Sequence, residues 1–122
     1  MSFDDRSPIY QQIADKIKRD ILHGDLSADE QVMSTNQYAA FYRINPATAA
    51  KGFHQLIEEG YLYKRRGIGM FVSPGAQQRL RARGRERFFA QTVDPMIAQA
   101  RALGIPLREI IQHLEAKDGE PR

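Results

Sequence analysis

Ser34-Thr35-Asn36-Gln37-Tyr38-Ala39-Ala40-Phe41-Tyr42, followed by Arg43-Ile44-Asn45-Pro46-Ala47-Thr48-Ala49-Ala50-Lys51-Gly52-Phe53, reads as two short helices joined by a tight turn. Ser34 is a good N-cap. Gln37, three residues on, can return a hydrogen bond to the Ser34 backbone, so a helix is predicted to start at Thr35. Asn45 before Pro46 is a second start signal, because asparagine caps well and proline at the first helical position gives up an N–H that has no partner there. Arg43 and Ile44 remain as the turn. Two helices around so short a connection make a helix-turn-helix, whose second helix can lie in the DNA major groove.

The second helix has two faces. Ala49, Phe53, Leu56 and Ile57 recur by threes and fours on an apolar side, while Thr48, Lys51, Gln55 and the Asn45–Ala47 segment look outward. Ala47, Ala50 and Gly52 are small enough to let the backbone approach a nucleic-acid surface, and Ala47 or the Thr48 methyl can touch a thymine methyl. Taken alone, the same pattern equally describes an amphipathic helix with a solvated face. The next residues separate the two readings. Gly60 ends the helix, and Tyr61-Leu62-Tyr63-Lys64 and Gly69-Met70-Phe71-Val72 are short β-prone runs joined by Arg65-Arg66-Gly67-Ile68. A hairpin with a basic, glycine-containing tip directly after such a helix is the wing of a winged helix. It offers Lys64, Arg65 and Arg66 to phosphates or a minor groove.

Four stretches carry a resemblance to a known family: Pro8-Ile9-Tyr10-Gln11-Gln12-Ile13, Ile21-Leu22-His23-Gly24-Asp25-Leu26, Asn45-Pro46-Ala47-Thr48 and Arg65-Arg66-Gly67-Ile68-Gly69-Met70-Phe71-Val72. Together, over residues 8–72, they resemble the N-terminal domain of GntR-type bacterial transcription regulators, and the Asn-Pro-x-Thr opening with a short C-terminal remainder is most similar to the YtrA subgroup. The resemblance implies a winged helix followed by a short helical region that dimerises, in regulators that often repress transporter operons. Two departures stand out. The family's Leu-Pro-Ser-x-Arg run is Val32-Met33-Ser34-Thr35-Asn36 here, so the arginine that often touches DNA is replaced by an uncharged Asn36. The family's alanine inside the second helix is Gly52, which costs roughly 1 kcal/mol against alanine, and nothing in the sequence accounts for it.

Composition narrows the remaining possibilities. With 122 residues and 42% hydrophobic content, one compact domain, or one small domain plus an appendage, is expected. The absence of cysteine excludes disulfides, cysteine zinc sites and thiol nucleophiles. His23, His54 and His113 show no metal-ligand spacing, and no cofactor or metal is expected. No apolar run approaches the roughly 20 residues of a membrane span, and Met1-Ser2-Phe3-Asp4-Asp5 is unlike a signal peptide, so a soluble cytoplasmic protein without membrane contact is expected. No paired carboxylates, nucleophile with base, or phosphate loop suggests an enzyme. The net charge of +3 is unevenly spread: residues 61–90 carry eight Lys and Arg against one acidic residue, a basic footprint for a polyanion.

The first helix is predicted from Pro8 to about His23 with Ser7 as cap. Its core residues are Ile9, Ile13, Ile17 and Ile21, and Asp15–Arg19 and Lys16–Asp20 form pairs on a solvated face. Gln31-Val32-Met33 is expected to pair with the wing, and Leu26, Val32, Tyr38, Phe41, Phe53, Leu56, Leu62 and Phe71 to complete the core. After Ser73-Pro74-Gly75 the chain turns to arginine and helix formers. Leu80, Phe88, Phe89, Val93, Met96, Ile97, Ala100 and Leu103 form an apolar stripe, Pro95 is expected to kink it near Asp94, and a last helix is predicted from Pro106 to about Ala116, before a frayed tail.

The expected fold is therefore mainly α with a small β wing: a winged helix-turn-helix over residues 1–73 and a two-helix dimerisation region over 74–122. Asn45, Pro46, Ala47, Thr48 and Lys51 are expected to face bases or nearby phosphates. Ser34, Thr35 and Asn36 are expected to face the DNA backbone, and Lys64, Arg65, Arg66 and Gly67 to make the wing contacts. Phe88, Phe89, Val93, Ile97, Ile110 and Leu114 are the expected dimer contact. The function expected is a homodimeric, sequence-specific transcription regulator, a repressor binding double-stranded DNA at an inverted repeat. Any small-molecule effector would sit between subunits or domains, since some 45 residues enclose little volume. The alternatives are a sequence-neutral architectural DNA binder and a winged helix serving only protein interaction.

Overall fold

A computed structural model describes residues 3–120. The chain divides into two compact units, the first ending at Arg81 and the second beginning at Ala82.

In the first unit, α1 (Ile9–Leu22), α2 (Thr35–Tyr42) and α3 (Pro46–Glu58) precede a hairpin of β1 (Leu62–Arg65) and β2 (Gly69–Val72), and α4 (Ala76–Phe88) begins before the unit ends. The hairpin is antiparallel, with Leu62 opposite Val72 and Arg65 opposite Gly69. The segment before α2 joins it as expected: Val32 N–H donates to the Met70 carbonyl and Val72 N–H to Glu30, both at 2.9 Å, and Gln31 bridges to Phe71. Ile13, Ile17 and Ile21 of α1 pack with Tyr38, Phe53, Leu56 and Leu62, and with Tyr61, Met70 and Val72, in one buried cluster against which Leu26 and Val32 lie half-buried. Burial of these side chains from water is what holds three short helices on a two-stranded sheet.

Several expectations need correction. Ile9 is 40% exposed and Phe41 67% exposed, so neither belongs to the core, and Phe71 is only half-buried, stacked on Tyr63 at 5.6 Å. The helical repeat places Ile9 on the right face, but this first residue of α1 lies outside the cluster. Ser7 does not cap α1. Pro8 stands at the N-cap position without a side-chain bond, and the Ser7 carbonyl instead accepts from Gln12 Nε2 at 2.7 Å. Asp15 accepts from Gln11 Nε2 at 3.0 Å, while the Lys16–Asp20 pair forms at 3.4 Å. Leu80, expected in the C-terminal stripe, packs against the first unit's core, where Ala76 is buried. Gln77 Nε2 also donates to the Leu22 carbonyl at 3.1 Å.

Gly52 has a structural explanation. A Cβ built there would lie 2.9 Å from the Tyr10 carbonyl oxygen and 3.1 Å from Ile13 Cγ2. Glycine is needed because α1 and α3 approach so closely that a methyl does not fit. Gly52 therefore faces α1, not outward as the sequence suggested.

In the second unit, α4 runs into one π-helical turn, Phe89–Val93, and then α5 (Asp94–Ala102). Where a kink at Pro95 is expected, the helix carries a π turn: Asp94 N–H bonds back five residues to the Phe89 carbonyl, widening the turn just ahead of a ring that supplies no donor. Gly104 at φ +71 turns the chain, Ile105 N–H bonds to Ala100 at 2.9 Å, and α6 (Leu107–Asp118) follows, two residues longer than expected at its C-terminus. Residues 121 and 122 of the expected frayed tail lie outside the described residues.

Candidate nucleic-acid interface

Two capping arrangements build the helix pair. Ser34 Oγ accepts from Gln37 N–H at 3.1 Å, and Gln37 Oε1 accepts from Ser34 N–H at 3.0 Å, closing the predicted capping box of α2. Asn45 Oδ1 accepts from Ala47 N–H at 2.8 Å, and Pro46 opens α3. The turn between them is tighter than two loose residues. Arg43 adopts the left-handed conformation at φ 55 and ψ 52, a strained choice for a branched-chain-free but bulky residue, and Ile44 N–H bonds to the Ala39 carbonyl at 3.0 Å. These bonds orient the start of α3 relative to α2.

Asn45, Pro46 and Ala47 are exposed at the start of α3, with Thr48 half-buried behind them, and Ser34 and Asn36 are exposed beside a half-buried Thr35. The Asn45 side chain is occupied through Oδ1 as a cap, which leaves its amide N–H₂ as the group able to meet a phosphate or base. Lys51 is exposed, with its ammonium 4.1 Å from the centroid of the Tyr10 ring on α1.

The wing is fixed at its base and open at its tip. Tyr63 donates to Asp29 at 2.7 Å, which raises the Tyr63 hydroxyl's pKa, and Gln31 Nε2 donates to the Ile68 carbonyl at 3.1 Å. Gly69, at φ +146, sits where a Cβ would strike Gln31 Nε2 at 2.6 Å, whereas Gly67 at φ +76 meets nothing. Lys64, Arg65, Arg66 and Gly67 are all exposed, the Arg65 guanidinium lying 5.8 Å from the Phe71 ring. Ile68, 55% exposed among these cations, and Arg43, exposed in the turn, belong to this surface although neither is among the residues expected to contact DNA. A β-branched residue in a basic tip was the available signal for the first.

The six expected dimer residues all fall in the second unit. Phe88, Phe89 and Leu114 are each 54% exposed, and Val93, Ile97 and Ile110 are half-buried. Met96, Ala100 and Leu103 of the α5 segment and Ile110 and Leu114 of α6 line a cleft of about 370 Å³. Among the described residues no group of three or more His, Asp or Glu is placed to hold a metal ion, and no helix is long and apolar enough to cross a membrane.

The family model for bacterial regulatory proteins of the gntR family matches residues 9–72, which is the first unit from α1 to the end of the wing. The chain belongs to the GntR family. Its GntR fold is a winged helix-turn-helix with C-terminal helices. Among curated GntR relatives, the HTH-type transcriptional repressor NagR of Bacillus subtilis is 38% identical over 60% of this chain, which spans only 30% of NagR's length. The transcriptional repressor YtrA of the same organism is 28% identical over 85% of this chain and 79% of its own. A transcriptional regulator from Oenococcus oeni has a solved structure covering 98% of both chains at 26% identity and a TM-score of 0.79. The DNA-binding domain of AraR, solved with operator ORR3, covers 60% of this chain and 88% of its own at 25% identity and a TM-score of 0.54.

Proposed function

We propose that this GntR-family chain is a sequence-specific, homodimeric transcriptional repressor that binds double-stranded DNA at an inverted-repeat operator. The observation that carries the reading is the pairing of a capped, outward-facing α3 N-terminus with a basic wing anchored to the same unit through Asp29 and Gln31. Asn45, Pro46, Ala47, Thr48 and Lys51 enter or border the major groove. Ser34, Thr35 and Asn36 meet the backbone, and Lys64, Arg65, Arg66 and Gly67 reach phosphates or the adjoining minor groove. The operator complex of AraR and the repressor activity named for NagR and YtrA support the same role here. Such a regulator works in the cytoplasm, where bacterial DNA is.

The second unit supports the dimer. Phe88, Phe89 and Leu114 leave large apolar surfaces in water, and the cleft between α5 and α6 has room for side chains of a second copy. Twofold pairing gives two readers for two half-sites.

Selection of bound sites from random DNA tests the proposal. An enriched inverted repeat is expected, with half-site centres about 34–36 Å or a multiple apart. Binding without enrichment would reduce the protein to a sequence-neutral DNA binder, and absence of binding would remove the reading altogether.

A further inference from the structure

The close approach of α1 and α3 at Gly52 has a consequence for its neighbour. With Tyr10 O only 2.9 Å from where a Gly52 Cβ would be, the first turn of α1 lies alongside the second turn of α3, and the Lys51 ammonium sits 4.1 Å from the Tyr10 ring centroid. The electron-rich face of an aromatic ring attracts an ammonium placed over it. Lys51 lies one turn behind Ala47 and Thr48 on α3, and this contact keeps its charge at the side of the helix that α1 borders. For a helix inserted in the major groove, forward and below are base edges, while sideways are the walls where the phosphates run.

We infer that Tyr10 is a positioning residue for DNA binding, holding the Lys51 ammonium against a backbone phosphate at one wall of the groove, so that Lys51 supplies affinity and no base preference. This rests on the DNA-binding reading above. Base discrimination on α3 then belongs to Asn45, Ala47 and Thr48, whose side chains are uncharged.

The test is a double-mutant cycle in the full chain, using the site enriched by selection and a random duplex of equal length. Lys51→Met should weaken both duplexes by the same factor and make the salt dependence shallower by about 0.9 in log–log slope per lost phosphate contact, with a binding-site profile identical to the parent's. Tyr10→Leu should weaken binding about twofold to fivefold when Lys51 is present and have no further effect in the Lys51→Met chain, whereas Tyr10→Phe, which keeps the ring, should match the parent. A purely structural Tyr10 would cost the same in both backgrounds, and that result overturns the inference. A changed base preference in Lys51→Met overturns it as well. If Tyr10→Leu fails to fold, Tyr10→Met, which also removes the ring but keeps an unbranched apolar side chain, takes its place in both Lys51 backgrounds with the same expected and overturning results. A parent chain that enriches no site removes this inference together with the regulator reading, and is told apart from the other failures because it appears before any substitution is made.

Discussion

Arg79 closes the C-terminus of α3 by reaching back to Gly60: its Nη1 donates to the Gly60 carbonyl at 2.9 Å and its Nη2 to the neighbouring Glu59 carbonyl at 2.7 Å. The last carbonyls of a helix lack intrahelical donors and carry the negative end of its dipole, so a guanidinium is well suited to them. The same group lies 4.7 Å from the ring centroid of buried Tyr61. The opening turns of α4 are thus part of the winged helix.

A chain ending after Arg81 should therefore fold as a monomer, and one ending after Ser73 should be less stable by about 2–3 kcal/mol, having lost the Arg79 cap together with the packing of Ala76 and Leu80. Both should bind an operator some 10² to 10⁴ times more weakly than the full chain, because the second half-site is no longer engaged intramolecularly. Urea unfolding, sedimentation and operator titration of the two chains check this. A dimeric chain ending after Arg81 would place the dimer contact in the first unit.

Gly52→Ala sets two effects against each other. Alanine improves helix propensity by roughly 1 kcal/mol, but its methyl would meet a backbone oxygen at 2.9 Å, which cannot move aside as a side-chain tip can. The clash should win, with a net loss of about 1–3 kcal/mol in denaturant unfolding. A stabilised variant would show that α1 and α3 can separate without cost.

The helix pair and wing were legible in the sequence because their signals are local: Ser34 with Gln37, Asn45 with Pro46, and a basic glycine turn between two β-prone runs. Gly52 was visible as an anomaly but not as an α1 contact, since the Tyr10 carbonyl that explains it is brought there only by folding. Ile9 and Phe41 were misplaced because periodicity identifies a face without saying how far the covering element extends. Arg79 was one of five alternating arginines, and nothing in the sequence distinguishes the one that folding carries to Gly60. Lys51 is exposed as expected, but the Tyr10 ring beneath its ammonium is not legible, because folding alone brings α1 there.

Replacing both Arg65 and Arg66 with alanine should weaken specific and random duplexes alike and flatten the salt dependence by about one unit per lost phosphate contact. Both side chains are exposed on a hairpin held by Asp29 and Gln31, so the fold should be unaffected. Titrations at several salt concentrations, with circular dichroism as the folding control, measure this. Unchanged binding would remove the wing from the interface.

Tyr38 is 5% exposed, and its hydroxyl has no hydrogen-bond partner among the described residues. Burial, with smaller contributions from Tyr42 and Asp20, pushes its ionisation well above the usual tyrosine value of 10.0. The neutral form is favoured by the fold, so this stability is fully present below pH 10 and is lost as pH rises above it. Tyr38→Phe should be neutral or stabilising by up to about 1–3 kcal/mol at pH 7, and its stability should fall less steeply above pH 10. Unfolding of both proteins at pH 7 and pH 11 separates the outcomes, and a strongly destabilised phenylalanine variant would mean that the hydroxyl is satisfied.

The π-helical turn at Phe89–Val93 makes this stretch unusually forgiving of one kind of genetic change. A π turn holds one residue more than an α turn, so deleting a single residue within it returns the backbone to an ordinary helix while keeping the side chains on either side in phase. The same deletion in α4 or α5 would rotate everything beyond it by about 100°. The forgiveness is conditional, because an uninterrupted helix would press the Pro95 ring against the carbonyl four residues earlier. Loss of a residue at Gln91 and replacement of Pro95 by alanine should therefore be tolerated together better than the deletion alone, and homologous chains lacking the extra residue should tend to lack the proline too.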